Sequence, residues 1–300
     1  MSLAVLFAGR FDAAEREDWW QALRAAAPEF AWRREDETFV AEAIDAAVVA
    51  NPEPGLLARL PRLRLIQSLW AGVDKLLADA TLPRDVPLAR MVDPRMSAAM
   101  AETALWAVLG LHRRFFDYAA QQCDAVWLQH AQRRADEVRV LVLGAGAMGA
   151  AVAERLASAG YRVQTWRARE GVPPPWADAQ VVINLLPLTP ATRGVLDARC
   201  FAALPRGASV VNLARGAHLV EADLIAALDR GHLHRAVLDV FATEPLPPEH
   251  AFWRHPRITV LPHVAALTDV ASGAAVCADN LRALASGAPL AHLVDRARGY

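Results

Sequence analysis

The chain has little cysteine, almost no net charge and no long apolar run, and each shortage removes a class of protein. Its three cysteines (Cys123, Cys200, Cys277) stand far apart among 300 residues and form no CxxC or CxxH pair. Neither a disulfide framework nor a metal site is expected, and a reducing cytoplasm is the expected compartment. The 32 basic and 33 acidic residues leave a formal charge of -1, with no block of one sign. Nucleic acid and anionic membrane surfaces are therefore not expected as partners. No stretch reaches the roughly 18 uninterrupted apolar residues of a membrane span. The opening MSLAVLFAGRFDAAERE has no basic leader and soon turns charged, so it reads as a first strand rather than a signal peptide. Internal repeats and low-complexity tracts are also missing; the nearest is Pro173-Pro174-Pro175.

What is present is apolar material in quantity: 54% hydrophobic against 22% charged residues. That excludes global disorder, and the length suits two domains. Short apolar runs at 3–8, 46–50 and 63–69 read as strands, with a helical pattern over 13–27 that stops before Pro28. Residues 96–118 read as one long helix. Further strands are expected at 138–143, 161–166, 181–186, 209–213, 236–240 and 258–261. Helices are expected at 150–159, 192–204, 221–229 and 268–286. Strands alternating with helices predict an α/β fold with parallel sheets. The expected organisation is one domain (95–267) inserted into another (1–94 with 268–300).

The segment Gly144-Ala145-Gly146-Ala147-Met148-Gly149 follows an apolar strand and opens a helix. There GxGxxG has a physical purpose. The first glycine permits a tight turn, the second lets a pyrophosphate approach the backbone, and the third allows close helix–strand packing. The helix N-terminus offers its unpaired N–H groups to the phosphates. About 20 residues after the turn begins, an NAD site places a carboxylate on the ribose 2′-hydroxyl. Here the chain reads Thr165-Trp166-Arg167-Ala168-Arg169. Two guanidiniums suit a 2′-phosphate. NADP(H) is the expected cofactor, with NAD(H) the alternative.

Three polar residues follow the ends of late strands, where open α/β sheets bind their ligands. They are Arg215 in VNLARG, Glu244 in LDVFATEP and His263 in LPHVAA. Together they suffice to reduce a keto acid. The arginine holds the carboxylate and polarises the carbonyl, the histidine protonates the nascent alkoxide, and the glutamate orients the imidazole. Spacing alone leaves a structural role open for each.

The motifs GAGAMG, NLARG, LDVFATEPLPP and LPHVAA, in this order and at these intervals, resemble the D-isomer-specific 2-hydroxyacid dehydrogenase family. INLLPLTPAT, the tail VDRARGY and the pair Trp19-Trp20 are similar to its bacterial glyoxylate/hydroxypyruvate reductase branch. The resemblance covers nearly the whole chain. It implies two Rossmann-like domains, the dinucleotide-binding one inserted into a flavodoxin-like substrate domain. It also implies a small 2-keto acid substrate, a homodimer, and roles for single residues. Arg215 binds substrate, Glu244 pairs with His263, and His263 is the general acid/base. The backbone of Ala71 and Gly72 holds the substrate carboxylate, with Trp70 as a wall of the pocket. Leu186, Pro187, Leu213 and Ala214 line the nicotinamide, and Asp239 binds its carboxamide. One departure from the family stands out: residues 170–180 form a shortened segment where relatives carry another short strand. Three prolines cannot supply it.

The histidines His232, His234, His250 and His255 follow no metal-ligand pattern. Phe115, Phe116 and Trp127 fit either core packing or the implied dimer contact. Two rival functions remain at this stage. One is a dinucleotide-sensing regulatory protein on the same fold; the other is a dehydrogenase of bulkier 2-hydroxy acids.

Overall fold

A computed structural model describes residues 3–167 and 172–300. The strands are β1 (Ala4–Gly9), β2 (Ala31–Arg34), β3 (Ala46–Ala50), β4 (Leu65–Ser68), β5 (Leu88–Ala89), β6 (Arg139–Leu143), β7 (Arg162–Trp166), β8 (Val181–Asn184), β9 (Ala208–Asn212), β10 (Leu233–Leu238) and β11 (Ile258–Val260). The helices are α1 (Ala13–Ala26), α2 (Asp74–Leu77), α3 (Pro94–His112), α4 (Phe115–Cys123), α5 (Ala147–Ser158), α6 (Ala198–Ala203), α7 (Glu221–Asp229) and α8 (Val270–Ser286). The chain divides into two compact units, Met1–Arg95 with Thr268–Tyr300, and Met96–Leu267.

The first unit is built on a parallel sheet in the order β2-β1-β3-β4-β5, the strand order of flavodoxin-like folds. Its central strands, AVLFAG and AAVVA, are almost wholly apolar because both faces are covered. Leu6, Ala8, Ala47, Val49 and Ile66 share one core cluster. Helix α1 starts where the Asp12 carboxylate accepts the Glu15 N–H, and α8 starts in the same way at Asp269 and Ser272. The short strands β2 and β5 escape a reading by pattern, since AWRR does not alternate and β5 has only two residues.

Among the described residues, the second unit holds six parallel strands in the order β7-β6-β8-β9-β10-β11. Alternate residues enter two cores. Val140, Val142, Ile183, Val211 and Val237 lie in one; Leu141, Leu143, Val182, Val210 and Leu238 lie in the other. Among the described residues β7 is one of the two edge strands, and the three prolines run in irregular chain toward a single turn at Trp176–Asp178.

Two expected helices differ. The long helix over 96–118 is in fact two, interrupted where Arg114 takes a left-handed φ of 63°. The Phe116 ring folds back onto Gly110, where any side chain would collide with it, and Asp117 of α4 bonds to His234 and Arg235 of β10. Apolar spacing continues through this break because α4 packs the half-buried Phe116 against the core that α3 fills. The expected helix at 192–204 shrinks to α6. The Thr192 hydroxyl is committed to the Pro187 C=O (2.7 Å), and the helix begins only where Asp197 caps the Cys200 N–H.

Candidate active site

The six strands of the second unit end in line. Register pairing sets Trp166, Leu143, Asn184, Asn212, Leu238 and Val260 side by side across the sheet. Within a few residues of that line come Arg167, the glycine turn, Leu186-Pro187, Leu213-Ala214-Arg215, Asp239, Glu244 and His263. The sheet's carboxyl edge thus gathers all these positions from separate parts of the chain.

The glycine turn sits where β6 has one crossover neighbour on each side, β7 and β8. That is a topological switch point, the usual ligand crevice of such sheets. Gly144 has a φ of 104°, and a Cβ there would lie 2.6 Å from the Leu185 carbonyl oxygen. At Gly149 a Cβ would drive into the Gly144 carbonyl, whereas at Gly146 it would meet nothing. The first and third glycines are therefore needed for packing, and the space before Gly146, Ala147 and Met148 lies open at the start of α5. The Arg167 guanidinium donates to the Ala145 C=O (2.8 Å), which sets its charge over this turn. The cradle, the helix start and the cation together fit a phosphorylated dinucleotide. Trp166 is part of this edge: its C=O accepts the Gly144 N–H (2.8 Å), while its indole packs on the core. Arg169 lies outside the described residues.

Leu186, Leu213 and Ala214 are buried just past β8 and β9, and Pro187 is half-buried. Arg215 is extended and half-buried, and its Nη1 donates to the Ala214 C=O (2.8 Å). Glu244 and His263 meet directly, with 2.8 Å between Oε2 and Nδ1. The other Glu244 oxygen accepts the Phe241 N–H (2.9 Å), so the carboxylate is fixed to the end of β10. The His263 side chain is 50% exposed, and among the described residues its Nε2 has no hydrogen-bond partner.

Asp239 follows directly on β10. It is buried, and its two oxygens accept the N–H groups of Val264 (2.7 Å) and Ala265 (3.0 Å). Its backbone C=O accepts the His263 N–H (2.9 Å). Three consecutive N–H groups thus converge on one residue, and they hold His263 at a left-handed φ of 57°. Burial pushes the Asp239 carboxyl up, against the lowering pull of the two N–H groups and of His263.

The remaining residues belong to other elements. Trp70, Ala71 and Gly72 belong to the first unit, in the turn after β4. There the Trp70 ring contacts Phe11 and Trp19, and the Ser68 hydroxyl spans the turn by donating to the Trp70 C=O and accepting its N–H. His232, His234, His250 and His255 bond to Leu204, Asp117, Glu221 and Asp229 respectively. Among the described residues no group of side chains could hold a metal, and no helix is long and apolar enough to cross a membrane. Sequence reasoning passed over three buried polar residues beside the site, Asn184, Asn212 and His218. The available signal was that two apolar strands, VVIN and ASVVN, each end in asparagine.

Residues 105–265 match the model of the D-isomer specific 2-hydroxyacid dehydrogenase, NAD binding domain. The chain belongs to this family. Glyoxylate/hydroxypyruvate reductase A of Serratia proteamaculans (strain 568) is 40% identical over 306 residues, spanning 95% of this chain and 96% of its own. Among solved structures, a D-isomer specific 2-hydroxyacid dehydrogenase from Xanthobacter autotrophicus Py2, in complex with NADPH and MES, superposes with a TM-score of 0.93 at 37% identity. The NADPH-dependent glyoxylate/hydroxypyruvate reductase of Sinorhizobium meliloti, in complex with NADP and sulfate, gives 0.90 at 33%. Both cover 100% of each chain.

Proposed function

We propose that this family member is an NADPH-dependent reductase of small 2-keto acids of the glyoxylate and hydroxypyruvate class. The observation that carries the reading is the line of strand ends, which gathers a dinucleotide cradle, Arg215 and the Glu244–His263 pair on one edge of one sheet. The named activity and the NADP of the relatives support it.

The cofactor would lie with its phosphates on Gly144–Gly149 and its 2′-phosphate against Arg167, joined by Arg169. Its nicotinamide would lie along Leu186, Pro187, Leu213 and Ala214, near Asp239. When bound, it supplies a hydride to the keto carbon. Arg215 holds the substrate carboxylate and polarises the carbonyl; the resemblance gives Trp70, Ala71 and Gly72 of the first unit substrate-binding roles as well. His263 Nε2 delivers a proton to the carbonyl oxygen, while Glu244 on Nδ1 stabilises the charged ring before transfer. Burial pushes the thiol of Cys200 up to about 12 and that of Cys277 higher still, so neither competes as a nucleophile.

The reading includes a homodimer in a reducing cytoplasm. The second unit exposes Trp106, Leu109, Phe115, Val126, Trp127 and Leu128, with Trp127 95% exposed. An apolar hollow of about 290 Å³ lies between α3 and α4. A patch of this kind on a soluble protein marks a contact surface, here for a second copy. Light scattering after size exclusion checks it: a monomeric mass at micromolar concentration would exclude the dimer.

The test of function is NADPH oxidation with glyoxylate, hydroxypyruvate, pyruvate and bulkier 2-keto acids, repeated with NADH. Turnover of the two smallest acids with NADPH is expected. Tight NADPH binding without turnover of any acid would instead indicate a dinucleotide sensor.

A further inference from the structure

Beneath the site lie three polar side chains, all fully buried, that no step of the proposed reaction uses. Asn184 ends β8, Asn212 ends β9, and His218 closes the short turn that follows Arg215. Their hydrogen bonds fix one another's orientation. Asn212 is held by backbone: its Nδ2 donates to the Arg215 C=O (3.0 Å) and its Oδ1 accepts from the Ala214 N–H (3.3 Å). Asn184 must therefore turn its own Nδ2 toward that oxygen (2.9 Å), which leaves its Oδ1 to accept the Leu186 N–H (3.2 Å). The same Nδ2 lies 2.9 Å from His218 Nδ1. An amide nitrogen only donates, so Nδ1 accepts and the ring proton resides on Nε2, which faces the Pro187 C=O at 3.3 Å. The imidazole is neutral and its tautomer is determined.

The backbone groups at the far ends of these bonds belong to Leu186, Pro187, Ala214 and Arg215. They lie in the two loops that leave adjacent strands at the carboxyl edge of the sheet. Mere space-filling would favour apolar side chains, because each buried polar atom must recover its lost hydration. A network in which every bond depends on the next instead holds two loops at a set separation and angle.

We infer that Asn184, Asn212 and His218 are positioning residues that fasten the loop after β8 to the loop after β9, and so set Arg215 against the surface formed by Leu186 and Pro187. The inference rests on the proposed function for what those loops hold, but its geometry does not depend on that reading.

The test compares His218→Leu with His218→Gln. Glutamine can accept from Asn184 through Oε1 and donate to Pro187 through Nε2, whereas leucine does neither. Crystal structures of both variants and steady-state kinetics, normalised to NADPH-binding sites, give two independent readouts. His218→Leu is expected to shift residues 185–187 against 213–216 by about 1 Å, a misplacement that costs roughly a hundredfold in kcat/KM. His218→Gln is expected to restore the loop positions and most of the rate. Asn212→Asp provides a second route, because it keeps the acceptor for Ala214 but sets a carboxylate oxygen on the Arg215 C=O. It should raise the KM for the keto acid more than that for NADPH. Unmoved loops in His218→Leu, or a glutamine variant as displaced and as slow as the leucine one, would overturn the inference. If the wild-type protein turns over no keto acid, the functional reading fails, while the loop positions still decide this one.

Discussion

Strand β10 has a histidine–carboxylate pair at each end, and the two pairs are built for opposite purposes. At the amino end His234 Nε2 meets Asp117 at 3.1 Å, and the guanidiniums of Arg235 and Arg114 join the same carboxylate at 3.2 Å. Burial by itself would raise the Asp117 carboxyl, but the bond and charge of His234, then the Arg114 bond and the Arg235 charge, hold it well below the usual carboxylate range. At the carboxyl end Glu244 meets His263 at 2.8 Å, and its other oxygen accepts the Phe241 N–H. The first pair is surrounded by cations inside the packed unit and fastens α4 to the sheet. The second is half exposed, with one ring nitrogen turned to whatever enters. A histidine beside a carboxylate becomes chemistry only where the strand ends open, and charge crowding at the other end converts the same pair into a fastener.

Removing each histidine in turn separates the two roles. His263→Ala should lower kcat with glyoxylate by about a thousandfold, within the usual range for a lost general acid, and leave NADPH binding intact. His234→Ala should change kcat less than about twofold. Comparable losses, measured by NADPH oxidation, would erase the distinction. Next in size is Asp239→Asn, which sets an amide NH2 against one of the two N–H groups it now accepts. The expected cost is about 1–3 kcal/mol in the placement of His263, read as a roughly ten- to hundredfold loss in kcat.

Smallest is the fastener itself. Asp117→Asn should lower the urea midpoint, for a loss of about 1–3 kcal/mol, without slowing turnover per folded molecule. Because the folded-state carboxyl is held low, its contribution is present above the unfolded value of about 3.9 and is lost as pH falls below it. The stability gap between wild type and Asp117→Asn should therefore close below about pH 4. A gap that widens with acid would contradict the assignment.

Local demands could be read from the chain, and long-range ones could not. The glycine turn was legible because its physical demands are local: a strand must end, a chain must turn tightly and a helix must begin within six residues. The parallel α/β class was legible from apolar runs alternating with helical spacing. The break between α3 and α4 was not, because it depends on Phe116 reaching Gly110 and on Asp117 reaching residues more than a hundred positions away. Nor was the start of α6, which Thr192 delays through a side-chain bond. Within the site, Arg215, Glu244 and His263 were named from motifs, but the 2.8 Å contact between two of them is a property of the fold. The triple hold of Asp239 on the His263 turn and the Asn184–Asn212–His218 network left almost no mark in the sequence. Buried polar residues are chosen for partners that only tertiary structure supplies.

On the proposed function, the carboxyl edge of the second sheet binds both cofactor and keto acid. A crystal structure with NADPH and oxamate, a carboxylate that resists reduction, tests it most directly. The pyrophosphate is expected at the start of α5, the 2′-phosphate on Arg167, and the oxamate carboxylate on Arg215 with His263 Nε2 at its carbonyl oxygen. A dinucleotide bound away from the glycine turn, or an oxamate that touches neither Arg215 nor His263, would contradict it.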